Sequence, residues 1–145
     1  MVTDIVHFGR FAPGYKDYSI LNIVGESGIN VHCWLSGKLG KVHNYFTSSN
    51  INLHLGKYDI NMIQSLDIPF CILPYRTCSQ SGVLIESLKL GFIPFVPDLI
   101  CFHEFLPKYV FKDLYFLNTQ DLLNKFNNID ALSIRQSINY LVNDN

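Results

Sequence analysis

The stretch FCILPYRTCSQSGVLIESLKLGFIPFVPD, residues 70–98, decides the reading of this chain. Its first four residues are continuously apolar and read as a buried strand; IPFV at 93–96 reads as a second. Between them come a polar loop with Arg76, Ser79, Gln80 and Ser81, a helix over 82–90 that opens on Gly82, and a tight turn. The first amides of a helix have no partner within it, and the helix dipole adds positive potential there. Such a start favours an anion, phosphate above all. Glu86 follows Gly82 by four residues and so lies one turn down the same face. A carboxylate at that place accepts hydrogen bonds from sugar hydroxyls while the amides hold phosphate, which is the pairing a nucleotide-sugar site requires.

Outward from this stretch, the same alternation fills the chain. Apolar runs at 5–8, 31–35, 51–55, 70–73, 93–96 and 114–117 predict six strands. Segments 18–24, 38–46, 59–66, 82–90 and 102–106 are the helix candidates between them. Helices over 119–126 and 130–142 close the chain, with Thr119 and Asp130 as expected N-caps. Continuous apolar strands separated by helices predict an α/β fold: a Rossmann-like, doubly wound parallel sheet of about six strands. The natural winding order is 3-2-1-4-5-6, in which strands one and four are neighbours and a crevice opens at their carboxyl ends. The loop after strand one, GRFAPGYK at 9–16, then brings Arg10 and Lys16 beside the helix that starts at Gly82. Two cations facing an amide-lined helix start describe a diphosphate pocket.

Composition bounds the rest. A chain of 145 residues, 48% hydrophobic and 16% charged, fits one domain with a substantial core. A net charge of −1 offers no basic field for nucleic acid or an acidic membrane. The four cysteines, Cys33, Cys71, Cys78 and Cys101, show no C-x-x-C spacing, so they are expected to be reduced thiols of a cytoplasmic protein. No apolar run approaches the roughly 18 residues that span a bilayer. Met1 stands close to the first strand, from which no targeting segment and no upstream domain are expected. No cluster of histidine and cysteine has ligand spacing, so no metal is expected. There is no G-x-S-x-G, no P-loop and no G-x-G-x-x-G after strand one. His7, His32 and His54 read as core or edge histidines and His43 has nothing to recommend it, while His103 with Glu104 forms a minor acid/base candidate.

These residues resemble a known family. LPYRTCSQSGVLIESLKLGFIPFVPD, residues 73–98, is similar to the signature of family 4 glycosyltransferases in their carboxyl-terminal, donor-binding domain. IVHFGRFAPGYKD, residues 5–17, resembles that domain's first strand and its glycine–arginine … lysine loop. Residues 49–67 look like a shortened form of the segment joining the third and fourth strands, so the resemblance runs from about Asp4 to Phe126.

The resemblance implies the donor half of a GT-B enzyme, in which two Rossmann-like domains face each other across a cleft. Arg10 and Lys16 match the basic pair that contacts the donor diphosphate and stabilises the leaving nucleotide, and are the catalytic candidates. Ser81, Gly82 and Val83 match the loop whose amides touch the distal phosphate or the sugar. Glu86 matches the second glutamate of a paired motif and is the ribose ligand. Gly9, Arg76, Gln80 and Glu104 are further candidates. The family implies a retaining transfer that uses neither metal nor cofactor, with a UDP- or GDP-linked sugar as substrate and a glycan or glycolipid acceptor. The chain departs from the pattern in four places. Cys78 stands for the first glutamate of the pair, Ile100 and Cys101 replace two glycines after Asp98, and Lys16 comes one residue later than is common.

The expected domain, residues 1–145, is thus a single nucleotide-sugar-binding unit without the amino-terminal acceptor domain, and inactive when isolated. It would work with that domain or with a separate partner chain, in the cytoplasm or at the inner face of the membrane through that partner. The alternatives are a non-catalytic interaction module on a degenerate glycosyltransferase fold and a nucleotide-binding enzyme of other chemistry. A donor domain without its partner is expected to expose an aromatic rim, with Phe11, Tyr15, Tyr75 and Phe102 as candidates.

Overall fold

The structure, a computed structural model, describes residues 1–77 and 82–143. Six parallel strands form one sheet in the order β3-β2-β1-β4-β5-β6, as the strand pattern predicts. The strands are β1 (Asp4–Arg10), β2 (Asn30–Ser36), β3 (Ile51–Leu55), β4 (Phe70–Ile72), β5 (Ile93–Pro97) and β6 (Tyr115–Phe116). The helices are α1 (Tyr18–Glu26), α2 (Ile60–Gln64), α3 (Gly82–Lys89), α4 (Ile100–His103), α5 (Thr119–Asn128) and α6 (Ala131–Asn143). β1 is paired with β2 along its whole length, from Asp4↔Asn30 to Arg10↔Ser36, but with β4 only at Val6↔Cys71. β1 and β4 therefore part company beyond that point, which opens the sheet at its topological switch.

Alternation along β1 sends its side chains into two cores. Ile5 joins the larger cluster with Leu21 and Val24 of α1, Leu84 and Leu88 of α3, and Phe126 of α5. Val6 and Phe8 face the other way, against Trp34, Ile63, Cys71 and Phe92. Burial on both faces is why the strands read as continuous apolar runs.

Local chemistry sets the element ends. Asp17 caps α1 by accepting from Ser19 N at 3.1 Å, and Asp59 caps α2 by accepting from Asn61 N at 2.9 Å. Asp130 accepts from Ser133 N at 3.1 Å at the start of α6, as expected. At α5 the cap is Asn118, not Thr119: Asn118 Oδ1 accepts from Asp121 N at 2.8 Å. The helix expected over 38–46 is only a 3-10 turn, Val42–Tyr45. Its one buried residue is Val42, too little apolar surface to hold a longer helix in a segment that begins with Gly37 and Gly40. The helix expected over 102–106 starts earlier, at Ile100. Cys33 and Cys71 are buried free thiols, but Cys101 is disulfide-bonded, which corrects the expectation that all four cysteines are reduced. Sequence spacing carries no signal for a bridge closed in three dimensions. Cys78 lies outside the described residues.

Candidate functional site

The loops that follow β1 and β4 are laced together. Asp17 N donates to Pro74 O at 2.7 Å and Arg76 N donates to Tyr15 O at 2.8 Å, with Lys16 and Tyr75 paired between them as an isolated antiparallel bridge. The Arg76 guanidinium lies 3.6 Å from the Asp17 carboxylate across the same seam. The first loop reaches this position by turning on Ala12, whose carbonyl accepts from both Tyr15 N (3.0 Å) and Lys16 N (2.9 Å). The two loops singled out in the sequence are thus one unit at the carboxyl ends of β1 and β4.

Lys16 is buried in this seam, 3% exposed. Its Nζ donates to Arg10 O at 2.7 Å and lies 3.1 Å from His7 Nε2, with the Tyr75 ring centroid at 5.6 Å. His7 Nδ1 stands 3.0 Å from Ile72 O. A carbonyl only accepts, so Nδ1 carries the hydrogen and Nε2 presents its lone pair to the Lys16 ammonium. Ile72 O is available because β4 has already left the β1 ladder. Burial, then the Lys16 charge, holds the His7 pKa well below its usual value, so the ring is neutral. Burial likewise lowers the Lys16 pKa to about 8. Gly9 makes room for this arrangement: its φ is +143°, and a Cβ there would meet Lys16 Nζ at 2.9 Å.

Arg10 goes elsewhere. Its side chain is exposed and lies over Gly37, after β2, where a Cβ would come 3.4 Å from Arg10 Nη2. The two cations therefore flank the end of β1, Arg10 on the β2 side and Lys16 on the β4 side. The expectation that both stand beside the start of α3 is corrected to this extent. Arg10 is the last residue of β1, still paired to β2 through Arg10↔Ser36 where β4 has diverged, and its side chain lies over Gly37 of the loop after β2.

On α3, Leu84, Ser87 and Leu88 are buried, whereas Gly82 and Glu86 are exposed and Val83 is half-buried. Glu86 is thus on the solvent side of the helix, four residues from its start. Gln80 and Ser81 lie outside the described residues. Glu104 is exposed and lines a groove of about 580 Å³ with Ile85, Leu88, Lys89 and Phe105. It faces the later turns of α3 and not Gly82.

Sequence reasoning missed two features of the site. His7 was given only a core role, and nothing in its spacing betrays that its ring meets Lys16. The proposed His103–Glu104 pair gives way to His103–Asp98, whose Nε2···Oδ1 distance is 2.7 Å. Asp98 also binds Lys108 Nζ, and that bond, ahead of the His103 contact, lowers the Asp98 pKa. Of the four rim candidates, Tyr15 is exposed, Phe11 and Tyr75 are half-buried, and Phe102 is fully buried in the core. Phe102 lies on the inner side of α4. Among the described residues no group of three histidine, cysteine or acidic side chains could hold a metal ion, and no helix is long and apolar enough to cross a membrane.

No protein-family model and no curated protein matches the sequence. Solved structures do match the fold. TarM superposes with a TM-score of 0.74 at 15% identity, over 97% of this chain and 31% of its own. WaaG, a glycosyltransferase involved in lipopolysaccharide biosynthesis, gives 0.69 at 13% identity, over 99% of this chain and 43% of its own. A glycosyltransferase from Rickettsia africae gives 0.68 at 14% identity, again over 99% and 43%. The chain spans less than half the length of these proteins. At such identities the likeness is one of architecture, and the six-stranded parallel sheet is that of a Rossmann-like half of a GT-B glycosyltransferase fold.

Proposed function

We propose that this chain is the donor-binding domain of a glycosyltransferase, of the family 4 type, which binds a nucleoside-diphosphate sugar for transfer to a glycan or glycolipid acceptor. The observation that carries the reading is the laced pair of loops at the β1/β4 switch point, with the Lys16 ammonium held inside it. In a doubly wound sheet that is where ligands bind. Two Lys16 donors are engaged by Arg10 O and His7 Nε2, and its third N–H has no acceptor among the described residues. That hydrogen serves a phosphate oxygen of the donor. Gly82 and Val83 offer amides at the start of α3, and Glu86 on its solvent face takes the ribose hydroxyls. Departure of a nucleoside diphosphate concentrates negative charge on the leaving phosphate. A positioned ammonium and oriented amides stabilise that charge without a metal. Retention of configuration and metal independence follow from the family resemblance. The acceptor would be held by an amino-terminal domain or a partner chain, since the chain corresponds to less than half of its structural neighbours. That partner would also supply any attachment to the cytoplasmic membrane face.

One observation favours a second reading, a non-catalytic module on the same fold. Arg10 rests on Gly37 and the two cations do not converge. Calorimetric titration with UDP, GDP and their sugar conjugates separates the two. Saturable binding that Glu86→Ala and Lys16→Ala each weaken about tenfold supports a donor site. Absence of binding at millimolar ligand by the folded chain rejects it in favour of the module.

A further inference from the structure

We propose that His7 is a positioning residue of the donor site: its Nε2 holds the Lys16 ammonium in the seam between the two loops, oriented toward the bound phosphate. The inference rests on the donor-site reading above and extends it to a residue to which the resemblance gives no role.

Three features of the seam carry it. First, His7 is 1% exposed and both of its ring nitrogens are committed, Nδ1 to Ile72 O and Nε2 to Lys16 Nζ. A buried imidazole with two directional bonds has no rotational freedom, so it defines one place for its partner. Second, the Ile72 carbonyl fixes the tautomer. With the hydrogen on Nδ1, Nε2 can only accept, and the lysine must donate to it as an ammonium or as a neutral amine. A protonated ring would present N–H to N–H and expel the lysine, so the arrangement requires the neutral imidazole, which burial secures. Third, the seat of the ammonium depends on Gly9. Its backbone approaches so closely that any side chain at residue 9 would collide with Nζ. Lys16 is thereby held by His7 on the sheet side, the Arg10 carbonyl at the strand end and the Tyr75 ring on the loop side.

The groups that face this pair come from every neighbouring element. Cys33 of β2 lies opposite His7 in the sheet register and its thiol, raised by burial to about 12, stays uncharged near neutral pH. Tyr18 of α1 packs its ring edge against His7, 6.4 Å between centroids. Its phenol is also raised by burial to about 12, and Tyr75, after β4, is raised by burial too. All three are neutral over the range in which Lys16 titrates. Burial is the main cause of the lowered Lys16 pKa, the neighbouring Cys33 opposes it, and the His7 lone pair is the acceptor whose loss the test below measures.

The test uses the full chain, UDP and GDP as probes, and three variants: Lys16→Ala, His7→Phe, which removes the acceptor at similar volume, and His7→Gln, which restores one at the Nε2 position. Nucleotide affinity is measured from pH 6.5 to 9.5, and the Lys16 Nζ titration is followed by heteronuclear NMR. His7→Phe is expected to weaken nucleotide binding about tenfold and to move both the pH midpoint of binding and the Nζ midpoint down by about one unit. His7→Gln should recover most of both. In the Lys16→Ala background the His7→Phe change should cost nothing further. A general loss of packing would lower affinity without moving the midpoint, and the glutamine would not rescue it. Wild-type affinity and midpoint in a folded His7→Phe chain overturn the positioning role and leave the donor site standing. No binding of either nucleotide by the wild-type chain overturns the donor reading and this inference with it.

Discussion

The Cα of Gly9 and the ammonium of Lys16 share one corner of the crevice, and there is no room for a methyl group between them. A Cβ at residue 9 would lie 2.9 Å from Lys16 Nζ, at a backbone φ of +143°. Glycine at the end of β1 is thus a condition for a buried cation seven residues later. Gly9→Ala is expected to destabilise the chain by about 1–3 kcal/mol through backbone strain and to displace the ammonium from His7. Chemical denaturation measures the first effect. The second should appear as weaker UDP or GDP binding even at temperatures where the variant is fully folded.

Burial of Lys16 makes an unusual pH signature. Its folded-state pKa of about 8 lies below the usual 10.5, so folding disfavours the charged form. Below pH 8 the ammonium is charged in both states and its desolvation penalty is fully present. From pH 8 to 10.5 the folded chain sheds its proton first, the unfolded state binds more protons, and stability rises with pH. Relative to Lys16→Met, the wild-type chain should gain on the order of 3 kcal/mol across that window. A salt-bridged lysine would show the reverse slope. Denaturation of both proteins at pH 7, 8, 9 and 10 checks the sign; a flat difference would mean that Lys16 is solvated.

The sheet order was legible because the central strands β1, β4 and β5 are apolar on both faces and each crossover is long enough for a helix. The lacing of the two loops was legible only as adjacency. Strand order placed 9–16 near 73–77, but nothing in the residues announces the Asp17 N–Pro74 O and Arg76 N–Tyr15 O bonds, which are backbone contacts. The direction of Arg10 was misread for a related reason: the side to which a terminal strand residue leans depends on the neighbouring loop, here on Gly37. His7 was read as a core residue, and it is one. Its second role depends on a carbonyl freed where β4 diverges from β1, a feature of register and not of sequence. Phe102 was expected on the rim because it follows the carboxyl end of β5, but it packs on the inner side of α4 in the main core, a facing that the sequence does not announce.

Asp98 offers a test remote from Lys16. Its carboxylate is held by Lys108 and His103, and its pKa is lowered chiefly by the Lys108 hydrogen bond. A depressed carboxylate pKa contributes stability above its unfolded value and loses it as pH falls through the folded one. Asp98→Asn should therefore cost about 1 kcal/mol at pH 7 and nothing near pH 2.5. Thermal denaturation at the two pH values decides it, and an equal cost at both would assign Asp98 a role as a hydrogen-bond acceptor without charge.

Nucleotide affinity itself should depend on the same lysine. Between about pH 7.5 and 8.5 the terminal phosphate of UDP or GDP is already ionised and the base is still neutral, so dependence within that window belongs to the protein. His7 stays neutral because burial holds its pKa well below 6.5. The remaining cation of the seam is Lys16, which loses its proton near pH 8. Affinity for UDP or GDP should then be highest at pH 7.5 and lower, by about threefold, at pH 8.5, when most of the phosphate faces a neutral amine. Lys16→Ala should bind at the reduced level throughout, with no slope over this range. Calorimetry on both proteins measures the difference directly. Parallel slopes in wild type and variant would remove Lys16 from the phosphate contact and leave the α3 amides as the anion site.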